Sequence, residues 1–146
     1  MPGVLLDTSV YVNAFRSGNL DVFSDRTMPV NQDGERLPVW LSAVVLEELL
    51  AGANLPKVRK LLKELENDFT GVNRFLVPSG RDWVKTGSLV NKIGLKYSFE
   101  DLGRSRLTND ALIAASAARN GLTVLTGNPK DFSRIAEFMS FSLRFT

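Results

Sequence analysis

The chain has 146 residues, a net charge of +2, 44% hydrophobic and 23% charged residues, and neither Cys nor His. Those absences exclude disulfides, thiol nucleophiles, Cys/His zinc sites, Ser-His-Asp triads and histidine acid–base pairs. Any catalysis falls to carboxylates, Lys, Arg, Tyr, Ser or Thr, or to a hard cation such as Mg²⁺, Mn²⁺ or Ca²⁺ held by oxygen.

The length predicts one domain over residues 1–146. Val4 to Leu6 reads as a short buried strand, and Val10 to Arg16 as the first turns of a helix. Residues 17–38 are polar and scattered with Gly, Pro, Asn and Asp, which predicts a loop. Val39 to Leu41 reads as a second strand ending at Ser42, a good N-cap for the helix AVVLEELLAGA. Pro56 opens a helix, PKVRKLLKELENDF, whose apolar residues recur at helical spacing. Arg74 to Val77 is a third strand, and 81–93 a helix. A charged connection at 97–107 leads to NDALIAASAARNG, a helix that Gly121 ends. TVLT at 123–126 is a β-branched strand, Asp131 is placed to cap the helix FSRIAEF, and Phe141 to Phe145 alternates as an edge strand. Strands alternating with helices predict an α/β fold, a mostly parallel sheet of about five strands sandwiched between helices. No apolar run approaches the ~20 residues that span a bilayer. The opening MPGVLLD lacks a basic region followed by a long apolar stretch, so a cytoplasmic protein without a signal peptide or membrane segment is expected.

In such sheets ligands collect outside the carboxyl ends of the strands. Four polar positions fall there: Asp7 after the first strand, Glu47 or Glu48 after the second, Asp110 in the first turn of the Ala-rich helix, and Asn128 after the fourth strand. Gathered in one crevice, the acids repel one another unless a cation sits between them. Each also has an ordinary reading. Asp7 caps the helix that follows, Asp110 complements a helix dipole, the Glu pair is a solvated face, and Asn128 is a turn residue. At about 100° per residue, Glu47 and Glu48 flank the apolar stripe almost symmetrically, so helical geometry does not choose between them. Asp110 stands apart, because its helix is apolar nearly all round and a desolvated carboxylate needs a partner. A receiver domain needs an acidic pair near the first strand, and a haloacid-dehalogenase phosphatase an Asp where this chain has Ser9.

The order LLDTSV, SAVVLEELLAG and NDALIAASAARNGLTVLTGNPKDF resembles a PIN domain. Within that superfamily it is similar to the VapC-type ribonuclease toxins of prokaryotic toxin–antitoxin pairs. The resemblance covers nearly the whole chain, and the 17–38 segment least. It places the family's three acids on Asp7, Glu48 and Asp110. A fourth acid found in many PIN domains falls on Asn128 here, which implies a leaner site. The resemblance implies Mg²⁺- or Mn²⁺-dependent RNA cleavage, with Asp7 and Asp110 as metal ligands and Thr8 and Thr126 as supporting hydroxyls. A bound metal lowers the pKa of water, so no His base is needed, and in-line attack leaves a 5′-phosphate and a 3′-hydroxyl.

RNA held near a cluster of acids also needs cations. Arg104 and Arg106 before Asp110, and Lys130 and Arg134 after Asn128, are the expected phosphate contacts. The basic face Lys57, Arg59, Lys60 and Lys63 reads as solvated surface. The resemblance further implies a homodimer and a cognate antitoxin whose C-terminal segment lies in a groove near the site. The alternative is a PIN-like domain that binds RNA or protein without cutting.

Overall fold

The computed structural model describes residues 3–29, 34–98 and 103–146. Parts of the expected 17–38 loop (30–33) and 97–107 connection (99–102) lie outside the described residues. The chain begins with β1 (Val4–Leu6), α1 (Thr8–Ser17), a 3-10 turn (Asp21–Phe23), β2 (Thr27–Pro29) and β3 (Arg36–Ser42). It continues through α2 (Ala43–Ala51), α3 (Pro56–Gly71), β4 (Phe75–Leu76) and α4 (Gly80–Tyr97). The last described elements are α5 (Arg104–Arg119), β5 (Thr123–Thr126), α6 (Pro129–Ala136) and β6 (Ser142–Phe145).

Five strands lie parallel in the order β4-β3-β1-β5-β6, flanked by the helices. β1 is central: Val4, Leu5 and Leu6 are all buried. A parallel strand covered on both faces is apolar throughout rather than alternating. Because β1 has β3 on one side and β5 on the other, the carboxyl ends of all three open into one crevice.

The structure corrects several expectations. The 17–38 segment is not simply a loop. β2 pairs antiparallel with the first half of β3, Thr27 opposite Pro38 and Pro29 opposite Arg36, while β4 takes the second half, Leu41 opposite Phe75. An edge strand needs backbone partners more than an apolar face, so these polar, Pro-bearing segments carry no alternating pattern. α1 starts at Thr8, two residues earlier than the apolar pattern indicates, and α4 runs on to Tyr97.

α5 starts at Arg104 rather than near Asn109. Gly103 takes φ +70°, open to glycine, and turns the chain into the helix. Thr108 Oγ1 then donates back to the Arg104 carbonyl at 2.8 Å. Asp110 therefore lies in the second turn, beyond the free N–H groups of the terminus, so its proposed dipole role is removed. α6 is capped by Asn128 with Pro129 at its first position, which puts Asp131 inside the first turn rather than at the cap.

α5 is buried continuously from Ala111 to Ala117, which seats it against the sheet and α4. Buried Asp82 of α4 accepts the Ser79 N–H at 2.8 Å and Arg119 Nε at 3.0 Å, tying α4 to the end of α5. No described helix is long and apolar enough to cross a membrane.

Candidate active site

Asp7 occupies the N-cap position of α1, yet its side chain makes no capping hydrogen bond there. Instead Ser9 Oγ donates to Oδ1 at 2.5 Å and Thr126 Oγ1 donates to Oδ2 at 2.7 Å. Both hydroxyls are held in turn: Ser9 Oγ accepts the Gly127 N–H and Thr126 Oγ1 the Asn128 N–H, each at 2.9 Å. A Cβ on Gly127 would stand 2.8 Å from Asn13 Nδ2, so the β5–α6 turn closes over α1 only because that residue is Gly. Asp7 is 5% exposed, and burial pushes its carboxyl above the ordinary value even though Ser9, Thr126 and the first N–H groups of α1 pull it down.

Glu48, Asp110 and Asn128 join Asp7 around one cavity of about 400 Å³. Thr8 Oγ1 donates to Glu48 Oε1 at 2.8 Å, fixing α2 to α1. Glu47 faces another cavity beside Trp83 and Asn109, so of the two it is Glu48 that lines the cavity with Asp7 and Asp110. Asp110 is pushed up to about 8, first by burial and then by the charges of Asp131, Glu48 and Asp7, with Arg106 opposing them.

The expected cations divide. Arg106 lines the acidic cavity, and its Nη2 lies 2.7 Å from Asp131 Oδ2. Arg104 lines a separate cavity with Trp83 and Thr86. Lys130 is exposed in the first turn of α6 and does not line the acidic cavity. The Arg134 guanidinium sits 4.8 Å from the Tyr97 ring centroid, stacked away from the acids. Two further residues bear on the site: Arg16, which the sequence did not single out, and Asp131, which it read as a helix cap. Arg16 lines the cavity from α1, its i, i+4 and i+8 relation to Val12 and Thr8 being the signal that could have found it. Asp131 raises the Asp110 pKa more than Glu48 or Asp7 does. Its place three residues after Asn128, one helical turn on, was the available clue.

No three acidic side chains among the described residues come close enough to hold a metal ion together. The donor set still fits a hard cation. Its donors are all oxygen, and Asp110 is held partly neutral by burial and then by three other carboxylates, whose repulsion a cation would relieve. Mg²⁺ in particular binds through one or two carboxylates and keeps several waters.

A family model described as the PIN domain matches residues 4–138. Among solved structures, the chain is similar to DNA-bound VapBC from Salmonella typhimurium, with 20% identity, 99% of this chain and 98% of that one covered, and TM-score 0.63. It is also similar to VapBC2 from Rickettsia felis bound to a promoter DNA fragment, with 23% identity, 98% of each chain covered, and TM-score 0.61. VapBC-1 from nontypeable Haemophilus influenzae matches at 20% identity over 97% of this chain and 96% of that one, with TM-score 0.60. No curated protein matches. With the family model spanning β1 to the end of α6 and the acids gathered at the carboxyl ends of β1 and β5, this chain belongs to the PIN domain family.

Proposed function

We propose that the chain is a metal-dependent endoribonuclease, the toxin of a type II toxin–antitoxin pair acting in the cytoplasm. The observation that carries this reading is the meeting of Asp7, Glu48, Asp110 and Asn128 around one cavity, where burial first and acidic neighbours second raise Asp110 to about 8. Asp7 and Asp110 would hold Mg²⁺ or Mn²⁺. When bound, such a cation supplies electrostatic stabilisation of the scissile phosphate and lowers the pKa of the attacking water.

The chain's own groups do the rest. Thr126 and Ser9 hold both Asp7 oxygens in place, and Thr8 orients Glu48 toward the cavity. Glu48 lines the same cavity as the proposed ligands and would accept a proton there, and Asn128 presents an amide without adding a further repelling charge. Arg16 and Arg106 supply the cavity with positive charge for an RNA phosphate. Lys130 is the outer phosphate contact.

A second cavity of about 560 Å³ opens between α1 and α2, lined by Val12, Phe15, Leu49, Leu55 and Val58 and sharing Arg16 and Glu48 with the first. An antitoxin segment with apolar anchors would lie there and cover the acids, and the likeness in fold to VapBC structures supports that partner. A homodimer is the proposed assembly.

The test is cleavage of a structured RNA in Mg²⁺ or Mn²⁺ by the parent, Asp7→Asn and Asp110→Asn. Cleavage by the parent to 5′-phosphate products, with losses of at least 100-fold in both variants, is expected. Equal activity in all three refutes the assignment. The lack of a three-acid cluster among the described residues favours a second reading, a PIN domain that binds RNA without cutting it. That reading predicts RNA affinity without products under every metal condition.

A further inference from the structure

Half a turn around α5 from the acids lies a cavity of about 510 Å³ between α4 and α5. On a helix, residues two apart point about 200° from each other, so Arg104 and Thr108 face this cavity while Arg106 and Asp110 face the acids. Three features of its α4 wall are unusual. Trp83 is 56% exposed, although an indole of that size normally finds cover. Thr86 is 2% exposed, and its hydroxyl is buried without a hydrogen-bond partner among the described residues. A helical Thr normally donates to the carbonyl four residues back, as Thr108 does. Gly87 sits in the helix interior, where Gly costs about 1 kcal/mol against Ala. A Cβ there would meet no atom within 4 Å, so packing within the described chain does not require the glycine. Asn91 and Arg104 complete the wall, and Arg104 makes no ion pair with a described residue.

We propose that this cavity is a subsite for one unpaired nucleobase of the RNA substrate, a few nucleotides from the bond that is cut. The base stacks on Trp83 and takes the orphan Thr86 hydroxyl as donor or acceptor. Gly87 leaves the room that the ring fills, Asn91 meets the base edge, and Arg104 receives the adjoining phosphate. Stacking on an exposed aromatic with a nearby cation is how single strands are held without a duplex. Trp83 also lines the cavity that contains Glu47 and Asn109, and the helical positions of Asn109 and Leu112 put that cavity between the subsite and the acids around α5, the side a bound strand would follow. The proposal rests on the ribonuclease reading for its choice of RNA, but its test is a binding measurement that needs no cleavage.

The experiment uses a fluorescein-labelled single-stranded 12-mer RNA in EDTA, with a Trp40→Phe background so that Trp83 is the single indole. Saturable quenching of Trp83 emission is expected. Affinity should fall about 5-fold or more in Trp83→Ala, the loss typical of one stacked base. Thr86→Val and Gly87→Leu should each weaken binding at least 3-fold while the melting temperature holds or rises, because neither removes a contact within the described chain. Val84→Ala, on the exposed face of the same helix, should bind as the parent does. Absence of quenching, or unchanged affinity in Trp83→Ala and Thr86→Val, overturns the subsite. Loss of dimerisation in Trp83→Ala with RNA affinity intact also overturns it and assigns the face to a second copy of the chain. Quenching without any RNA cleavage by the parent leaves the subsite standing and sinks the nuclease reading alone.

Discussion

The acidic cavity makes a quantitative claim about stability. Asp110 is raised from 3.8 to about 8 by burial and by Asp131, Glu48 and Asp7. The metal-free folded protein therefore holds a proton that the unfolded chain releases, and the contribution of Asp110 to stability is greatest below about pH 4. It falls as pH rises through the window between the two values and levels off above about pH 8. Each unit of that window is worth about 1.4 kcal/mol, so the ceiling on the loss by pH 7 is about 4 kcal/mol. Water entering an open cleft screens part of this, and about 2 kcal/mol is the expected size. Asp110→Asn has nearly the same shape and no charge to lose. In EDTA it should match the parent at pH 4 and melt about 4–8 °C higher at pH 7.5, by the usual conversion for a chain of this size. Circular dichroism melts from pH 4 to 8.5 measure the difference. Saturating Mn²⁺ should then stabilise the parent by about 2–3 kcal/mol at a concentration 100 times its dissociation constant and leave the variant where it was. A melting difference that does not change with pH, or equal stabilisation of both proteins by Mn²⁺, refutes the reasoning.

Other perturbations probe the groups around that cavity. Thr126→Val removes the hydroxyl on Asp7 Oδ2 and should cost about 1–3 kcal/mol in urea unfolding, with the cleavage-rate profile shifted to higher pH as Asp7 becomes harder to ionise. Arg106→Ala deletes a cation that competes with metal, so calorimetric titration should show tighter Mn²⁺ binding, while a weaker one would contradict the electrostatics at Asp110. Arg119→Ala strands the buried Asp82 carboxylate. Burial raises the Asp82 pKa, but Arg119 and the Ser79 cap outweigh it and the net shift is downward. The parent's advantage over Arg119→Ala, about 3 kcal/mol, should hold at pH 7 and shrink as the pH falls below about 4; persistence at pH 2.5 would point to lost packing instead.

Much of the fold was legible because its centre is built from apolar segments whose neighbours are set by sequence order. Val4 to Leu6 and Thr123 to Thr126 read as strands, and Ser42 as a cap that the structure realises by accepting the Val44 N–H at 3.1 Å. The failures share a cause. β2, the early start of α5 and the place of Asp131 all depend on backbone pairing or on through-space charge, which leave little mark on hydropathy. Arg104 and Arg106 show this best. As residues of a connection they looked like one basic pair, but once α5 begins at Arg104 they stand on opposite sides of a helix. Arg106 faces the acids, and Arg104 faces a cavity of different chemistry walled by Trp83, Thr86 and Gly87. The candidate acids were chosen by their element ends, and only the fold shows that Glu48 lines the cavity with Asp7 and Asp110 while Glu47 lines another.

The two acids proposed as ligands are held in opposite ways, and that difference gives them different work. Asp7 has both oxygens hydrogen-bonded to hydroxyls from α1 and β5, and those hydroxyls are fixed by backbone N–H groups of the β5–α6 turn. Its position is set by the fold before any ligand arrives. Asp110 accepts no hydrogen bond from a described residue and is surrounded by like charge, so its ionisation is set by whatever cation comes to the cavity. Such a pair would bind an ion by adding one adjustable charge to one fixed one, and release of the Asp110 proton would become part of binding. Proton release on Mn²⁺ addition should therefore approach one per ion near pH 7 and vanish in Asp110→Asn. In Thr126→Val it should persist, because that variant loosens the fixed acid and leaves the adjustable one alone.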